Sequence, residues 1–286
     1  MAYTTAADLA AGSVAMIGMA RYTYEHQQVF KETVTEMKLG AGEKSLYIPK
    51  FGTVTCEDLT DGVDMSNSQT MSISGTTHTT DEAGCKVVVT KKLRSQLKED
   101  AYRAAGKVIG NAMGKKMNTD GNTLYSGFSS GLGADAATCS PGYLAAAITQ
   151  LVGQSEPAPE PYAVVLHPYH LNYLVDSLSV PSTSNIPPDY QMDVLMKHWR
   201  GVDKLYGAPI FSDGTIAITS ATTTAYGAVY SKSAFIYLVG WEPDNWIVYD
   251  DSLRGWEIGI VADYAMVEED DGYGRYLLFE CDVPTS

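Results

Sequence analysis

Cysteine is scarce in this 286-residue chain: Cys56, Cys85, Cys139 and Cys281 are scattered, and no two stand in CxxC spacing. That excludes a dense disulfide framework and reads as free thiols from a reducing compartment. Charge is also thin, at 19% against about 25% in an average soluble protein. Positive charge is thinner still. Twenty Lys and Arg face 34 Asp and Glu, for a formal net charge of −14. The balance argues against a free-standing binder of nucleic acid or of an anionic membrane. No apolar run reaches the roughly 20 residues of a transmembrane helix. No cation precedes Arg21, so a secretory signal is not expected. Phenylalanine is sparse (six) beside 19 tyrosines. Tyrosine suits subunit interfaces and half-buried β-structure alike.

What is present is a chain 45% hydrophobic, long enough for one large or two ordinary domains with a sizeable core. Residues 1–40 are rich in Ala, Thr and Met and lack a long amphipathic pattern. They read as a short helix, or as an arm ordered against a partner, with Tyr22–Met37 as a second short helix. From Ser45 the period becomes two: Leu46 and Ile48, later Met71 and Ile73, alternate with polar residues. Between them lies Cys56–Gln69, acidic and carrying the turn dipeptide Asp61-Gly62. This predicts a long hairpin, about 33 Å for ten residues per side. Two strands alone are marginal in water, so the hairpin needs a neighbour.

Lys91 to Asn118 carries the longest helical pattern, through Leu93, Leu97, Ala101, Ala105, Val108, Ile109, Ala112 and Met113. Gly106, Gly110 and Gly114 recur every fourth residue and suggest a smooth face against a strand or sheet. Thr119–Pro141 reads as a turn-rich crossing. Gly142–Val152 reads as a helix, and Tyr162–Leu166 as a buried strand running into a helix that starts at Pro168. A further short helix is expected near Tyr190–Trp199. From Pro209 the chain reads as strands: Pro209–Phe211, Ile216–Ile218, Tyr226–Tyr230 and Trp246–Tyr249. Glu257–Val267 and Tyr273–Cys281 then read as a closing hairpin around Asp271-Gly272. Charge is segregated. Eight cations lie between Lys91 and Lys116, and twelve acids follow Trp241 against Arg254 and Arg275 alone.

Chemical motifs are weak. Gly127-Phe-Ser129-Ser-Gly131 matches GxSxG, but no strand precedes it and a nucleophile elbow needs one. His167 and His170 stand i, i+3 without a recognisable third metal ligand, and His167 could instead cap the helix. His26, His78 and His198 are isolated. Glu268-Glu-Asp-Asp271 reads as a soluble hairpin tip; no EF-hand spacing follows the acidic runs. Gly131-Leu-Gly133 lacks the rest of a dinucleotide fingerprint. No catalytic, cofactor or metal residue is assigned. The enzyme alternative is a serine hydrolase using Ser129 with His167 or His170.

The order of elements carries more: a small-residue arm, a long hairpin, one long helix, a mixed α/β region and closing β-structure. Ser45–Thr90, Val89–Asn118 (VTKKLRSQLKEDAYRAAGKVIGNAMGKKMN), Tyr162–Leu178 (YAVVLHPYHLNYLVDSL), Lys204–Ser212 (KLYGAPIFS) and Gly227–Cys281 carry it together. In this order the chain resembles the major capsid proteins of tailed bacteriophages, an α+β fold of the Hong Kong 97 type. The resemblance implies an N-terminal arm at 1–40 and an extended loop at 41–85. It also implies a peripheral domain at 86–139 and 258–286 with its spine helix at 91–118, and an axial domain at 140–257. It implies a virion shell subunit made in the host cytoplasm, forming hexamers and pentamers around double-stranded DNA without a membrane. Scaffolding, portal and decoration proteins are the other partners it implies, with any scaffold a separate chain. Expected inter-subunit contacts are Asp58, Asp61, Asp64, Met65, Tyr22 and Tyr24; Lys98, Arg103 and Lys107 are expected to face the DNA. A compartment of the same fold enclosing protein cargo is the alternative shell. An extracellular β-rich adhesin is disfavoured by the free cysteines and the missing signal.

Overall fold

A computed structural model describes residues 29–40, 42–66, 68–96, 101–179 and 204–284. In chain order it begins with α1 (Phe30–Thr33), β1 (Thr35–Lys38), β2 (Ser45–Phe51), β3 (Ile73–Thr79) and β4 (Asp81–Thr90). The helices α2 (Lys91–Gln96) and α3 (Ala101–Thr123) follow, then β5 (Gly131–Gly133), α4 (Pro141–Gly153), β6 (Tyr162–Leu166) and α5 (Pro168–Ser179). The chain closes with β7 (Lys204–Leu205), β8 (Ala208–Ser212), β9 (Ile218–Thr219), β10 (Thr224–Ser231), β11 (Phe235–Asp250), β12 (Gly255–Glu268) and β13 (Gly274–Glu280).

Three sheets organise these strands. One has the order β1-β11-β12-β4; a second runs β5-β13-β10-β6-β8-β7 with β9 on β10; β2 and β3 pair only with each other. The expected hairpin is therefore present, in register from Ser45↔Thr79 to Phe51↔Ile73. Seven residues pair on each side, and residues 52–72 form its tip. Proline opens α4 and α5, where its missing N–H costs nothing. Tyr206 and Gly207 both have positive φ, as a two-residue turn between β7 and β8 requires.

The largest core lies between the four-stranded sheet, α1, the C-terminal half of α3 and β10; Phe30, Tyr125, Tyr230, Phe235 and Tyr237 fill it. A second core joins the other sheet to α4 and α5 through Leu144, Leu151, Leu166, Leu174 and Phe279. Among the described residues, a third cluster of Val89, Leu93, Ile109 and Ile258 lies beneath the N-terminal half of α3.

Several expectations change. Within Tyr22–Met37, only Phe30–Thr33 is helical, and Thr35–Lys38 pairs in parallel with β11; residues 22–28 lie outside the described residues, as does Tyr190–Trp199. The described parts of the long helix are α2 and α3, with residues 97–100 outside the described residues, and α3 continues through Asp120-Gly121 to Thr123. A turn is not needed there because Gly121 receives the Phe30 ring, and a Cβ would come within 2.3 Å of it. Gly106 and Gly110 have open space where a strand was expected to pack. Trp246–Tyr249 is the end of the sixteen-residue β11. The closing hairpin does not form. β12 pairs with β11 and β4, and β13 with β10 and β5. The chain crosses between sheets at Glu269–Tyr273, and packing on two cores outweighs the local turn signal. β11 joins the sheet beside the long helix, and β13 joins the other.

Candidate assembly surfaces

The hairpin exposes what a core would bury. Tyr47, Phe51, Val54, Leu59, Val63, Met65, Met71 and Ile73 are all more than half exposed, Leu59 and Met65 at 67%. Burying such a side chain contributes about 1.5–3 kcal/mol, which this chain alone leaves unused. The tip is shaped by its own bonds. Gln69 Oε1 accepts from Thr55 N at 2.8 Å, and Gln69 Nε2 donates to Thr55 O at 2.7 Å. Gly62, at φ +77°, completes the turn closed by Val63 N and Thr60 O. The tip surrounds a cavity of about 590 Å³ with Val54, Leu59, Val63 and Met65 among its walls and Glu57, Asp58 and Asp64 beside them. Asp58, Asp61, Asp64 and Met65 are all exposed there, and no Lys or Arg lies in 52–72. Tyr22 and Tyr24 lie outside the described residues.

The stalk is seated by charge. Lys50 Nζ donates to Asp270 Oδ2 at 2.6 Å, lies 3.1 Å from Glu156 Oε2 and stands over the Tyr273 ring. The Asp270 hydrogen bond raises its pKa, outweighing partial burial. His78, far from isolated, is buried with Nε2 3.2 Å from Glu269 Oε2. The acidic run 268–271 is thus a junction between two sheets and not a hairpin tip. Glu269 and Asp270 hold the stalk, and Asp271 holds Ser129. Burial, followed by the charge of Asp271, raises the pKa of Glu268.

Of the cations expected to face DNA, Lys98 lies outside the described residues and Arg103 falls in the first turn of α3. Lys107 is exposed on α3. Along the same helix Val108 (51% exposed), Ala112 and Lys115 share an exposed stripe at i, i+4 and i+7.

The C-terminal end of α3 holds a buried polar hub that no sequence motif marks. Asn118 Oδ1 accepts from the backbone amides of Val29 and Phe30 at 3.1 and 3.0 Å. Asn118 and Asn122 both donate through Nδ2 to Asp213 Oδ2, at 2.6 and 2.7 Å, and to Thr215 Oγ1. Asp213 N donates to Leu166 O at 3.0 Å. One buried carboxylate thereby ties the arm's base to the long helix and the second sheet. Two asparagines four apart near the end of the helical pattern were the available signal.

The catalytic alternatives meet unsuitable geometry. Ser129 precedes β5 on a loop, and Asp271 accepts from both its backbone N (2.7 Å) and its hydroxyl, so a carboxylate holds it and not an imidazole. His167 Nδ1 accepts from Tyr169 N at 3.2 Å, capping α5, and lies 3.1 Å from Cys281 Sγ. Burial, with the charge of Asp282, pushes the Cys281 thiol up to about 12. The sulfur therefore stays a thiol beside His167, and a thiol lacks the nucleophilicity of a thiolate. His170 is fully buried beside Phe279, and neither ring nitrogen has a hydrogen-bond partner. Among the described residues no three His, Cys, Asp or Glu side chains converge to hold a metal, and no helix is long and apolar enough to cross a membrane.

This architecture is the Hong Kong 97-type fold of phage capsid subunits. A structure from Mycobacterium phage Che8 superposes with a TM-score of 0.72 at 16% identity, covering 91% of this chain and 94% of that one. The capsid of cyanophage P-SCSP1u gives 0.72 at 14% identity over 98% and 96% of the two chains. The mature capsid of bacteriophage PhiM1 gives 0.71 at 13% identity over 94% and 92%. No protein-family model and no curated protein matches the sequence.

Proposed function

We propose that the chain is a major capsid protein, a structural subunit that self-assembles into hexamers and pentamers of an icosahedral shell around double-stranded DNA. One observation carries the reading within the shared fold. The hairpin presents eight large apolar side chains to solvent, and patches of that kind mark interfaces. In a shell, neighbouring copies cover them, and the exposed hairpin ceases to be an aggregation hazard. The acidic balance keeps most of the surface from gripping packaged DNA, since phosphate contacts need cations. Scaffolding, portal and decoration proteins are the partners this role calls for, and the virion is its location.

The test is expression of the intact chain, followed by sedimentation and negative-stain imaging. Hollow particles, rings or sheets are expected, and deletion of Asp58–Met65 abolishes them. A uniform monomer under all assembly conditions refutes the proposal. Particles from infected cells that hold protein and no DNA would point to the cargo compartment.

A further inference from the structure

Independently of the shell reading, we propose that the buried hub at the end of α3 modifies itself: Thr215 Oγ1 attacks Cγ of Asn118, and the two side chains join in an ester with loss of ammonia. The parts that acyl transfer needs are already together. The nucleophile is the Thr215 hydroxyl, which accepts from Asn118 Nδ2 at 2.7 Å. The base is Asp213, whose Oδ1 accepts from that hydroxyl at 2.7 Å. Its orientation is fixed, because Oδ1 also accepts from Thr215 N at 2.8 Å. The oxyanion hole is the pair of backbone amides of Val29 and Phe30, which donate to Asn118 Oδ1 at 3.1 and 3.0 Å. The leaving group is Asn118 Nδ2, 2.6 Å from the other Asp213 oxygen.

Asn118, and not Asn122, is the electrophile. Both donate through Nδ2 to the same two oxygens. Asn122 Oδ1, however, is buried without a hydrogen-bond partner, so no donor receives the charge that would develop on it. The step balances. A turn of the Asn118 amide about its Cβ–Cγ bond presents the face of Cγ to Oγ1. The Oγ1–Cγ bond forms as the hydroxyl proton passes to Asp213. The Cγ–Nδ2 bond then breaks as Asp213 returns the proton to nitrogen, and NH3 leaves. No oxidant, reductant or water takes part. Asn118 and Asp213 are only 3% and 1% exposed, so the water that would hydrolyse the ester is kept out. Asn118 lies on α3 and Thr215 follows β8. The ester therefore clamps the long helix to the second sheet and closes a covalent loop that carries α4 and α5.

Mass spectrometry of the intact chain supplies the test. The purified protein is incubated under native conditions, then denatured, reduced and weighed whole. A deficit of about 17 Da, one ammonia, is expected. After digestion, the peptide carrying Asn118 should be joined to the peptide carrying Thr215, and hydroxylamine, which cleaves esters, should separate them. Thr215→Val keeps the shape without the nucleophile and should retain full mass. Thr215→Ser restores a hydroxyl and should restore the link. Asp213→Asn should slow its formation about 10²–10⁴-fold, as loss of a general base does. A chain that keeps its full mass throughout overturns the proposal. So does a deficit confined to the Asn118 peptide, which is a succinimide, or a gain of about 1 Da there, which is hydrolysis of the amide to a carboxylate. A link that survives Thr215→Val overturns it as well. None of these results bears on particle formation, so the shell reading stands or falls separately.

Discussion

Acid should loosen the contact between α5 and β13, and His170 is the reason. Its ring is fully buried against Phe279, near His167, and neither nitrogen is hydrogen-bonded. Burial, and then the neighbouring His167, lowers its pKa from 6.5 to about 4. In the unfolded chain the imidazole takes up a proton as pH falls through about 6.5. In the folded chain it does not until about 4. Between these values the unfolded state binds more protons, so stability falls as pH falls. At about 1.36 kcal/mol per pH unit the full loss is about 3 kcal/mol, complete near pH 4 and absent above about 7. Replacing His170 with Leu keeps an apolar group of similar size, so packing changes little. It also removes two buried unpaired nitrogens, so the variant should be at least as stable as the parent at pH 7.5. Urea unfolding of dissociated subunits at pH 7.5, 6.0, 5.0 and 4.5, followed by tryptophan fluorescence, separates this group from the carboxylates, which titrate in both proteins. The difference between variant and parent should grow by about 2.5 kcal/mol between pH 7.5 and pH 4.5. Parallel stability–pH curves for the two proteins would refute the argument.

Three further substitutions probe the long helix. Gly121→Ala drives a Cβ into the Phe30 ring and should cost about 2–3 kcal/mol, whereas Gly110→Ala enters open space and should stabilise by about 0.5–1 kcal/mol; thermal unfolding checks both signs. Asn118→Ala strips the Val29 and Phe30 amides of their acceptor and Asp213 of a donor, for an expected loss of about 2–4 kcal/mol, with faster hydrogen exchange at Phe30–Thr33 as the local signature.

Local periodicity made the hairpin, the long helix and the Tyr162–Leu166 strand legible, because in each the apolar spacing agrees with the packing that follows. The failures fall where distant parts meet. Gly121 looks like a turn residue until Phe30, ninety-one residues earlier, is laid across it. The end of β12 and the start of β13 look like a hairpin until each finds a different sheet. Glu268–Asp271 looks like one solvated cluster, yet Glu269, Asp270 and Asp271 have three separate partners, His78, Lys50 and Ser129. His167 and Cys281 meet although 114 residues separate them. Sequence spacing carries no information on such encounters, and the candidate assembly surface shares this limit. Its exposed residues could be named from the acidic, apolar tip, but its seat on the body could not.

That seat decides how the hairpin is used. The body is held by two apolar cores and a buried carboxylate hub, so reshaping it means exposing large aromatic side chains. The stalk is held by Lys50, 46% exposed, on Asp270 and Glu156, and by His78 on Glu269. The partly exposed Lys50 pairs contribute about 0–1 kcal/mol each, less than one buried aromatic contributes. Thr80, the single residue between β3 and β4, hydrogen-bonds Asp263 at 2.9 Å where the stalk leaves the sheet. We expect the angle of the hairpin at Thr80 to be softer than the packed body. A subunit that must meet neighbours in rings of five and of six, as proposed here, needs one such coordinate beside a rigid body. The chain places it directly beneath its most apolar exposed surface.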